Sequence, residues 1–476
     1  MNPRRICCLI FIALLLPVAC GGGDSGTPAV NDQAGADTTA DISTDIPDVP
    51  VVISNLLVIA HPANTLAAYV EWETNVRASS AVAVDCGDYQ ALVTGEGTRL
   101  EHSVFVMGLF DGAACTFTAT STGENGSEDS EAVTFTAGPL PENLPVPELK
   151  IGALDMVQPG WTMFNLSNTF DNVPLYVVLV DSKGRYRWFH QRSGPFTGLD
   201  TDLRATSQGI SIGGVSKKDM SSIIDWEGHI LWEGDYHNHH EFLPVPGKTG
   251  RFFGLTTFKD GCGWGYDVQV MVEHDLESNT HVWEWVLCEH WEPPVIGKDW
   301  SHLNTIDVFP DGDALILSSR QQNTLFKISY PEGELLWALG QAGDFAFDSD
   351  MDFFHQHAPE ITPDGTILLF DNGLHVDREW SRALEFSYDL ETMTAKKVWE
   401  YRPQPDIYAP VWGDSDRLPN GDTLIVFGRW DAQKHSHIIE VNPAGIEVWH
   451  LVLPKRWGVY RAQRFVDPPA GQILTD

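Results

Sequence analysis

Residues 302–340, HLNTIDVFPDGDALILSSRQQNTLFKISYPEGELLWALG, show the unit from which most of this chain is built. Two turn sequences, Pro310-Asp-Gly312 and Tyr330-Pro-Glu-Gly333, separate short runs of apolar and β-branched residues, and Trp337 closes the last run. Short apolar runs between turns rich in Gly, Pro and Asp are typical of β-strands, and no helical periodicity accompanies them. The stretch therefore predicts a small sheet of four short strands.

The same unit recurs through the later part of the chain. Six tryptophans close a strand, at spacings of 44 to 62 residues: Trp188, Trp232, Trp283, Trp337, Trp399 and Trp449. A four-stranded unit of about fifty residues that repeats in this way is typical of a β-propeller blade. The pattern predicts an all-β protein with a six-bladed β-propeller over residues 150–476. Recurring tryptophans most simply pack one blade against the next, so we assign them no chemical role.

The chain before the propeller has a different pattern. Residues 50–138 carry about seven short alternating runs, which predict a small β-sandwich of the immunoglobulin or fibronectin kind. The order of residues 102–126 resembles the later strands of a fibronectin type III domain. Residues 139–149 are rich in proline, which predicts a stiff linker between the two domains.

The beginning of the chain predicts export. Two arginines precede an apolar run that is too short to span a membrane as a mature helix. Residues 16–20, LPVAC, resemble a bacterial lipobox, so residues 1–20 are interpreted as a lipoprotein signal peptide with Cys20 as the lipidated N-terminus. Cleavage near Ala19 without lipid is the alternative. Residues 21–49 are acidic, without Lys, Arg or aromatics, and predict a disordered tether. We expect a cell-envelope protein held at a membrane by its lipid.

Charge and cysteine content narrow the classes of protein further. A formal net charge of −36 argues against a nucleic-acid partner, because binding a phosphate backbone requires clustered Lys and Arg. Four cysteines remain outside the signal peptide, and each pair falls within one predicted domain. Cys86–Cys115 and Cys262–Cys288 are therefore plausible disulfides of an oxidising compartment. None of the four has the close spacing of a zinc site.

Three successive blades carry a polar pair at positions i and i+2. These pairs are Asn238/His240, His302/Asn304 and His355/His357. The proline of the following turn lies six residues after the second member of each pair, so the three pairs occupy the same place in their blades. In a regular strand, i and i+2 point to the same face, and the innermost strand of each blade lines the central channel. We therefore expect these imidazoles and amides to converge in the channel.

A cation lies close to the same place in the repeat. Arg320 ends the strand that follows the His302/Asn304 pair. Imidazole, amide and guanidinium donors that converge on one point predict a site for an anion with several oxygens. Zinc is the alternative ligand, because His-x-His in a strand can place two ligands on one face. A guanidinium aimed at that point would oppose a cation.

These motifs together resemble the bacterial arylsulfate sulfotransferase family over roughly residues 150–470. The residues that carry the resemblance are His239-His-Glu-Phe242, Trp300-Ser-His-Leu-Asn304, Ser318-Ser-Arg320, Phe354-His-Gln-His357, Phe370-Asp-Asn-Gly373 and Tyr460-Arg-Ala462. The combination, including the step from His302 to Arg320, is more specific than any one fragment.

The resemblance implies an enzyme that moves a sulfuryl group from a phenolic sulfate ester to a phenolic acceptor, with no nucleotide sulfate donor and no cofactor. His357 is implied as the nucleophile, which would form a covalent sulfohistidine. Residues implied to hold the sulfate oxygens or to assist proton transfer are His240, His302, Asn304 and Arg320. Further candidates for substrate binding are His355, Asn238, Asn372 and Arg461.

Two other functions stay open at this point. A metal-dependent hydrolase or lyase could use the same histidines as ligands. A non-catalytic surface module could bind glycan or protein, since a lipid tether and a fibronectin-like domain are common in adhesion proteins.

Overall fold

β-Strands make up almost all of the secondary structure, as the alternating apolar runs predict. The computed structural model describes residues 49–168, 170–171, 173–192, 202–206, 209–213, 221–234, 239–347, 349–376, 378–429, 433–466 and 472–474. Residues 1–48, with the predicted signal peptide, Cys20 and nearly all of the predicted tether, lie outside the described residues, and so does Asn238. Helical structure in the described ranges consists of α1 (Leu287–His290) and a 3-10 turn (Ser349–Met351), neither long and apolar enough to cross a membrane.

The N-terminal strands share one long strand. They are β1 (Ile53–Ala60), β2 (Ala68–Asp85), β3 (Gln90–Thr94), β4 (Arg99–Val106), β5 (Ala114–Gly123), β6 (Gly126–Asp129) and β7 (Val133–Thr136). The first half of β2 pairs with β1 and β4, and its second half pairs with β3 and β5. The buried side chains of Trp72, Val82 and Phe117 belong to one apolar core. The predicted Cys86–Cys115 disulfide is confirmed.

Six further sheets form the blades of the propeller, which confirms the predicted fold class. Listed from blade one to blade six, their strands are β9 (Trp161–Leu166), β10 (Tyr176–Val180) and β11 (Tyr186–Gln191); β12 (Leu203–Thr206), β13 (Gly209–Ile212), β14 (Ser221–Ile224) and β15 (Ile230–Gly234); β16 (His239–Pro244), β17 (Arg251–Phe258), β18 (Val268–Asp275) and β19 (Thr280–Val286); β20 (Leu303–Val308), β21 (Ala314–Ser319), β22 (Thr324–Ser329) and β23 (Leu335–Gly340); β24 (His357–Ile361), β25 (Ile367–Asp371), β26 (Arg382–Asp389) and β27 (Thr394–Tyr401); and β28 (Asp414–Arg417), β29 (Thr423–Phe427), β30 (His437–Val441) and β31 (Glu447–Val452). In blades two to six the first strand is innermost, where β12, β16, β20, β24 and β28 contact their neighbours.

Three remaining strands tie the ends of the chain together. Strand β32 (Ala462–Phe465) pairs with β9 and supplies the inner strand of blade one. Strand β8 (Glu148–Gly152) adds a fifth strand to blade six, so the predicted linker ends in regular structure. Strand β33 (Gln472–Leu474) pairs with β3 of the N-terminal sheet instead of continuing the propeller as predicted. The propeller ring is therefore closed by the C-terminal strand β32.

Most of the repeating tryptophans join their blade to the next one through the turn sequences. Within the described residues, four of the six donate their indole N–H to a carbonyl in the outer turn of the following blade. These bonds are Trp188 to Trp226 O at 2.9 Å, Trp283 to Pro331 O at 2.9 Å, Trp399 to Pro443 O at 3.2 Å and Trp449 to Ser182 O at 2.8 Å. The last of these bonds crosses from blade six to blade one, so it also helps to close the ring.

The packing between the first and last blades can be tested at Trp449, because its side chain is fully buried. We expect Trp449→Ala to lower the free energy of unfolding by about 3–5 kcal/mol, since it leaves a cavity between the first and last blades. Trp449→Phe keeps most of the ring and loses the bond to Ser182, so the expected loss is about 1–2 kcal/mol. Urea denaturation measures both.

The control for this experiment is Val398→Ala, in an outer strand with 54% of the side chain exposed, which we expect to change stability by less than about 0.5 kcal/mol. A Trp449→Ala protein as stable as this control would contradict the packing role.

Candidate active site

The polar pairs lie where the inner strands of blades three to five depart from regular geometry. His240, His302 and His355 have positive φ angles of 63°, 39° and 53°. The strand register also shifts in β16, β20 and β24, close to the pairs in each case. Non-glycine residues adopt such angles at a cost of about 1–3 kcal/mol, and they are concentrated at functional sites. Local bulges, rather than the predicted i and i+2 alternation, therefore direct these side chains.

The histidines converge on the ring of Tyr460. The ring centroids of His240 and His302 lie 5.2 Å apart, and those of His240 and His239 lie 5.1 Å apart. Tyr460 stacks on His240 at 5.9 Å and meets His357 edge-on at 6.4 Å. The structure thus brings together side chains from blades three, four and five, as the repeat predicts.

His357 is held in one orientation by Asn372. The Nδ2 group of Asn372 donates to the carbonyls of Ala409 and Trp412, both at 2.7 Å. Its Oδ1 must therefore be the atom that faces His357 Nδ1 at 2.7 Å. The carbonyl of His355 lies 3.1 Å from the same nitrogen. Two acceptors require the proton to sit on Nδ1, which leaves the lone pair on Nε2.

Burial favours the neutral form of His240, His355 and His357 by lowering the pKa of each. It lowers the pKa of His357 well below its ordinary value, and the charge of Arg320 adds to this effect. Burial also lowers the pKa of His240, with the neighbouring His239 and His302 contributing. The pKa of His355 falls to about 4, for burial first and Arg320 second. A neutral imidazole with a free lone pair is a nucleophile or a base.

Asn304 and Arg320 lie next to these rings. Asn304 is fully buried, and its Nδ2 donates to Gln356 O at 2.7 Å in the next blade. Its Oδ1 has no hydrogen-bond partner among the described residues. Arg320 donates from Nη2 to Pro410 O at 3.1 Å, and its backbone N–H bonds His302 O at 3.0 Å. Asn304 is therefore buried between two blades, whereas Arg320 bridges blades and stays partly exposed.

Arg461, predicted to bind substrate, faces carboxylates. It is 4% exposed, and its Nη1 lies 2.7 Å from Asp202 Oδ1 and 3.0 Å from Glu241 Oε1. Arg204 donates to the same Glu241 oxygen at 2.7 Å. These ion pairs join the inner strands of blades one, two and three, so Arg461 has a positioning role in this structure, and its contact with substrate stays a prediction.

A second group of carboxylates lines the inner strands of blades four to six. Burial raises the pKa of Glu360 to about 8, and the nearby Asp307 adds to the rise. Burial likewise raises the pKa of Asp416 to about 7, with Glu360 as the next cause. Buried Asp414 is raised well above its ordinary value, for burial first and Asp416 second. The channel therefore combines neutral histidines with carboxyl groups that tend to hold their protons.

Metal binding was the alternative use of these histidines. In the part of the chain that the structure describes, no group of three or more His, Cys, Asp or Glu side chains is arranged to hold a metal ion. The predicted Cys262–Cys288 disulfide is confirmed and lies in blade three, beside the segment that leads to His302.

The fold and the site define a class: a six-bladed propeller with oriented neutral histidines beside an arginine. The family model of the arylsulfotransferases (ASST) matches residues 157–452, so the chain belongs to that family. The arylsulfate sulfotransferase AssT of Escherichia coli O6:H1, strain CFT073, is 27% identical over 54% of this chain and 58% of its own length. The protein of the same name from Lelliottia amnigena is 26% identical over 27% of this chain and 28% of its own length. The chain thus spans less than two thirds of either relative.

Likeness among solved structures is weak. Kluyveromyces lactis Hsv2p aligns with a TM-score of 0.32 at 10% identity, over 81% of this chain and 98% of that one. The family match leaves out the N-terminal sheet, whose likeness to fibronectin type III domains stays a prediction.

Sequence reasoning missed two residues of this site. The motif that contains Tyr460 predicted no role for this residue, although its ring contacts both His240 and His357. Asp299 was not noticed, and its Oδ2 lies 2.6 Å from His302 Nδ1. The sequence signal for Tyr460 is its place two residues before β32, because the strand that closes the ring brings the segment before it to the centre.

The carboxyl group of Glu360 makes stability depend on pH in a defined direction. Its pKa of about 8 in the folded protein lies above its ordinary 4.5, so the folded state holds a proton that the unfolded chain releases. The stabilisation is therefore complete below about pH 4.5 and is lost as the pH rises through 8. The side chain of Glu360→Gln stays neutral at every pH. We therefore expect the free energy of unfolding to fall less between about pH 5 and pH 8 in this variant than in the parent. The difference between the two proteins is at most about 1.4 kcal/mol per pH unit.

Urea denaturation at both pH values measures this difference. Glu379→Gln is the control, since its side chain is 61% exposed and is expected to leave the pH dependence unchanged. Identical pH dependence in Glu360→Gln and the parent would show that Glu360 is not the group responsible.

Proposed function

We propose that this chain is an aryl sulfotransferase that transfers a sulfuryl group from a phenolic sulfate ester to a phenolic acceptor. The reaction proceeds through a covalent bond to Nε2 of His357 and uses no nucleotide sulfate donor. The observation that carries the proposal is the hydrogen bond from His357 Nδ1 to Asn372 Oδ1, which leaves the Nε2 lone pair available on a neutral ring. Membership of the arylsulfotransferase family supports the choice of substrate class.

The first displacement transfers the sulfuryl group to the enzyme. The Nε2 lone pair of His357 forms a bond to sulfur while the bond from sulfur to the phenolic oxygen breaks. Positive charge develops on the imidazole, and the Nδ1–H bond to Asn372 Oδ1 strengthens as it does so. The leaving phenoxide takes a proton from Nε2 of His302, which enters this step as the imidazolium and is restored to it by the acceptor in the second displacement. The ring of His302 is more accessible than those of His240 and His357.

The second displacement reverses these steps with a new phenol. The acceptor hydroxyl gives its proton to His302 as its oxygen bonds to sulfur, and the N–S bond of His357 breaks. Arg320 supplies positive charge close to His357, and the second N–H of the Asn304 amide is a further donor for the sulfuryl oxygens. No metal enters either step.

The covalent intermediate can be tested with donor alone. We expect intact-mass measurement of protein incubated with p-nitrophenyl sulfate to show one added sulfuryl group, accompanied by a burst of p-nitrophenol. His357→Ala removes the attacking nitrogen, so both signals should be lost. His229→Ala is the matched control, because this histidine is 65% exposed in an outer turn and should keep both signals.

Added chelator should leave the burst unchanged. A burst that requires metal, or an adduct that persists in His357→Ala, would refute this mechanism.

The role of Asn372 predicts a kinetic defect without a binding defect. Asn372→Ala frees the His357 ring to rotate and to change its tautomer, so we expect the single-turnover rate of sulfation to fall by about 10²-fold, with little change in KM. Asn442→Ala is the control, since Asn442 Oδ1 holds an outer turn of blade six by bonds from Ala444 N at 3.1 Å and Ile446 N at 3.0 Å.

The control should lose stability without loss of rate. Equal rates for Asn372→Ala and the parent would contradict the orienting role.

A further inference from the structure

A groove of about 570 Å³ opens beside His302 on blade three. Its lining includes Thr257, Tyr266, Lys298, Asp299 and Ser301. One wall is the loop between β17 and β18, and the other is the connection from β19 to β20. Ligand pockets for small molecules commonly have volumes of this order.

The two walls are joined covalently. Cys262 lies in the β17–β18 loop and Cys288 in α1 of the opposite connection, and their disulfide links the walls directly. Trp264 contacts Trp300 edge-to-face at 5.4 Å, next to the disulfide. Within the loop, Asp260 Oδ1 accepts from Gly265 N at 2.5 Å. The groove is therefore preorganised rather than formed by two independent loops.

Asp299 connects the groove to the histidines. It lines the groove, and its Oδ2 lies 2.6 Å from His302 Nδ1. The carboxylate requires a proton on Nδ1, so Nε2 of His302 is the nitrogen left to give up or take up a proton. The His302 side chain is 25% exposed, whereas His240 and His357 are buried. His302 directly follows the groove residue Ser301, and its hydrogen bond to Asp299 links the groove to the histidines.

We propose that this groove, the aryl groove, holds the aromatic ring of the donor and then of the acceptor, and that Asp299 positions His302 for the phenolic proton. The proposal rests on the sulfotransferase function proposed above. The ring of Tyr266 is 42% exposed and offers an aromatic face. The exposed ammonium of Lys298 lies in the same lining as the carboxylates of Asp267 and Asp299, so aromatic contact rather than net charge favours an aryl ligand. The proton passes from the acceptor O–H to Nε2 of His302, and in the donor half-reaction it returns to the leaving oxygen.

The first test narrows the groove. Thr257→Trp places a large ring at an exposed lining position, so we expect KM for a two-ring aryl sulfate to rise roughly tenfold, and KM for p-nitrophenyl sulfate to change less than about twofold. The value of kcat should hold for both donors. Thr280→Trp is the control, because Thr280 is exposed on the outer strand β19 away from the groove. Equal KM values for the two-ring donor in Thr257→Trp and in the control would overturn the assignment of the groove.

The second test addresses Asp299 through the acidity of the phenol. Asp299→Asn removes the charge that orients His302, so transfer to weakly acidic phenols should slow roughly tenfold or more. Transfer to nitrophenols, which ionise without a base, should change less than about twofold, and KM should hold. Asp299→Glu should restore part of the rate. A uniform loss for all phenols would show a structural role only, and no loss would refute the role of Asp299.

The outcomes also separate this proposal from the function on which it rests. An unaltered protein that forms no sulfuryl adduct and transfers to no phenol refutes the sulfotransferase function. An active protein whose variants Thr257→Trp and Asp299→Asn match their parent refutes the aryl groove alone.

Discussion

Ring closure by the C-terminal strand is the constraint on which the rest of the structure depends. Strand β32 pairs with β9, with Ala462 opposite Phe164, and so completes the inner face of blade one. The same segment places Tyr460 against the histidines and Arg461 among the carboxylates of the channel. Arg464 Nη2 contacts Glu440 Oε2 at 2.8 Å in the last blade, which adds a buried ion pair at the joint. Side chains from distant parts of the chain share one site because this closure fixes the blades around a common axis.

Electrostatic balance in the channel follows from that enclosure. Burial disfavours charge on both kinds of titratable group, so it lowers the pKa of His240, His355 and His357 and raises that of Glu360, Asp414 and Asp416. Glu241 is the exception, because Arg204 and Arg461 overcome the burial effect and hold its pKa at about 2. The two trends have opposite consequences for stability: buried neutral histidines favour the folded state more as pH rises, and raised carboxyls favour it more as pH falls. The site is therefore kept free of net charge except where a guanidinium or an ion pair is built in.

The repeat made much of the fold predictable. The tryptophans and turns of the sequence predicted six blades, and in the described residues four of the six tryptophans donate an indole N–H to the next blade's turn. Both disulfides were predicted from cysteine positions. The polar pairs converge as predicted, but the prediction assumed regular strands. The positive φ at His240 and His302 depends on tertiary contacts that no local sequence pattern reveals. Asp299 could not be predicted from the sequence, because an exposed acidic residue three positions from a histidine is common on protein surfaces.

Net charge bears on how the proposed sulfotransferase would gain its substrate. The chain carries a formal charge of −36, so its overall field repels a sulfate ester rather than steering it inward. Local positive charge near His357 is supplied by Arg320, and Arg461 is already occupied by carboxylates. Attraction of the anionic group alone is then a weak source of affinity, and contact with the uncharged aromatic part of the substrate becomes correspondingly important. The proposed aryl groove would supply this contact, since a disulfide joins its two walls and Tyr266 is exposed in it. Asp299 connects it to His302, the histidine proposed to carry the phenolic proton.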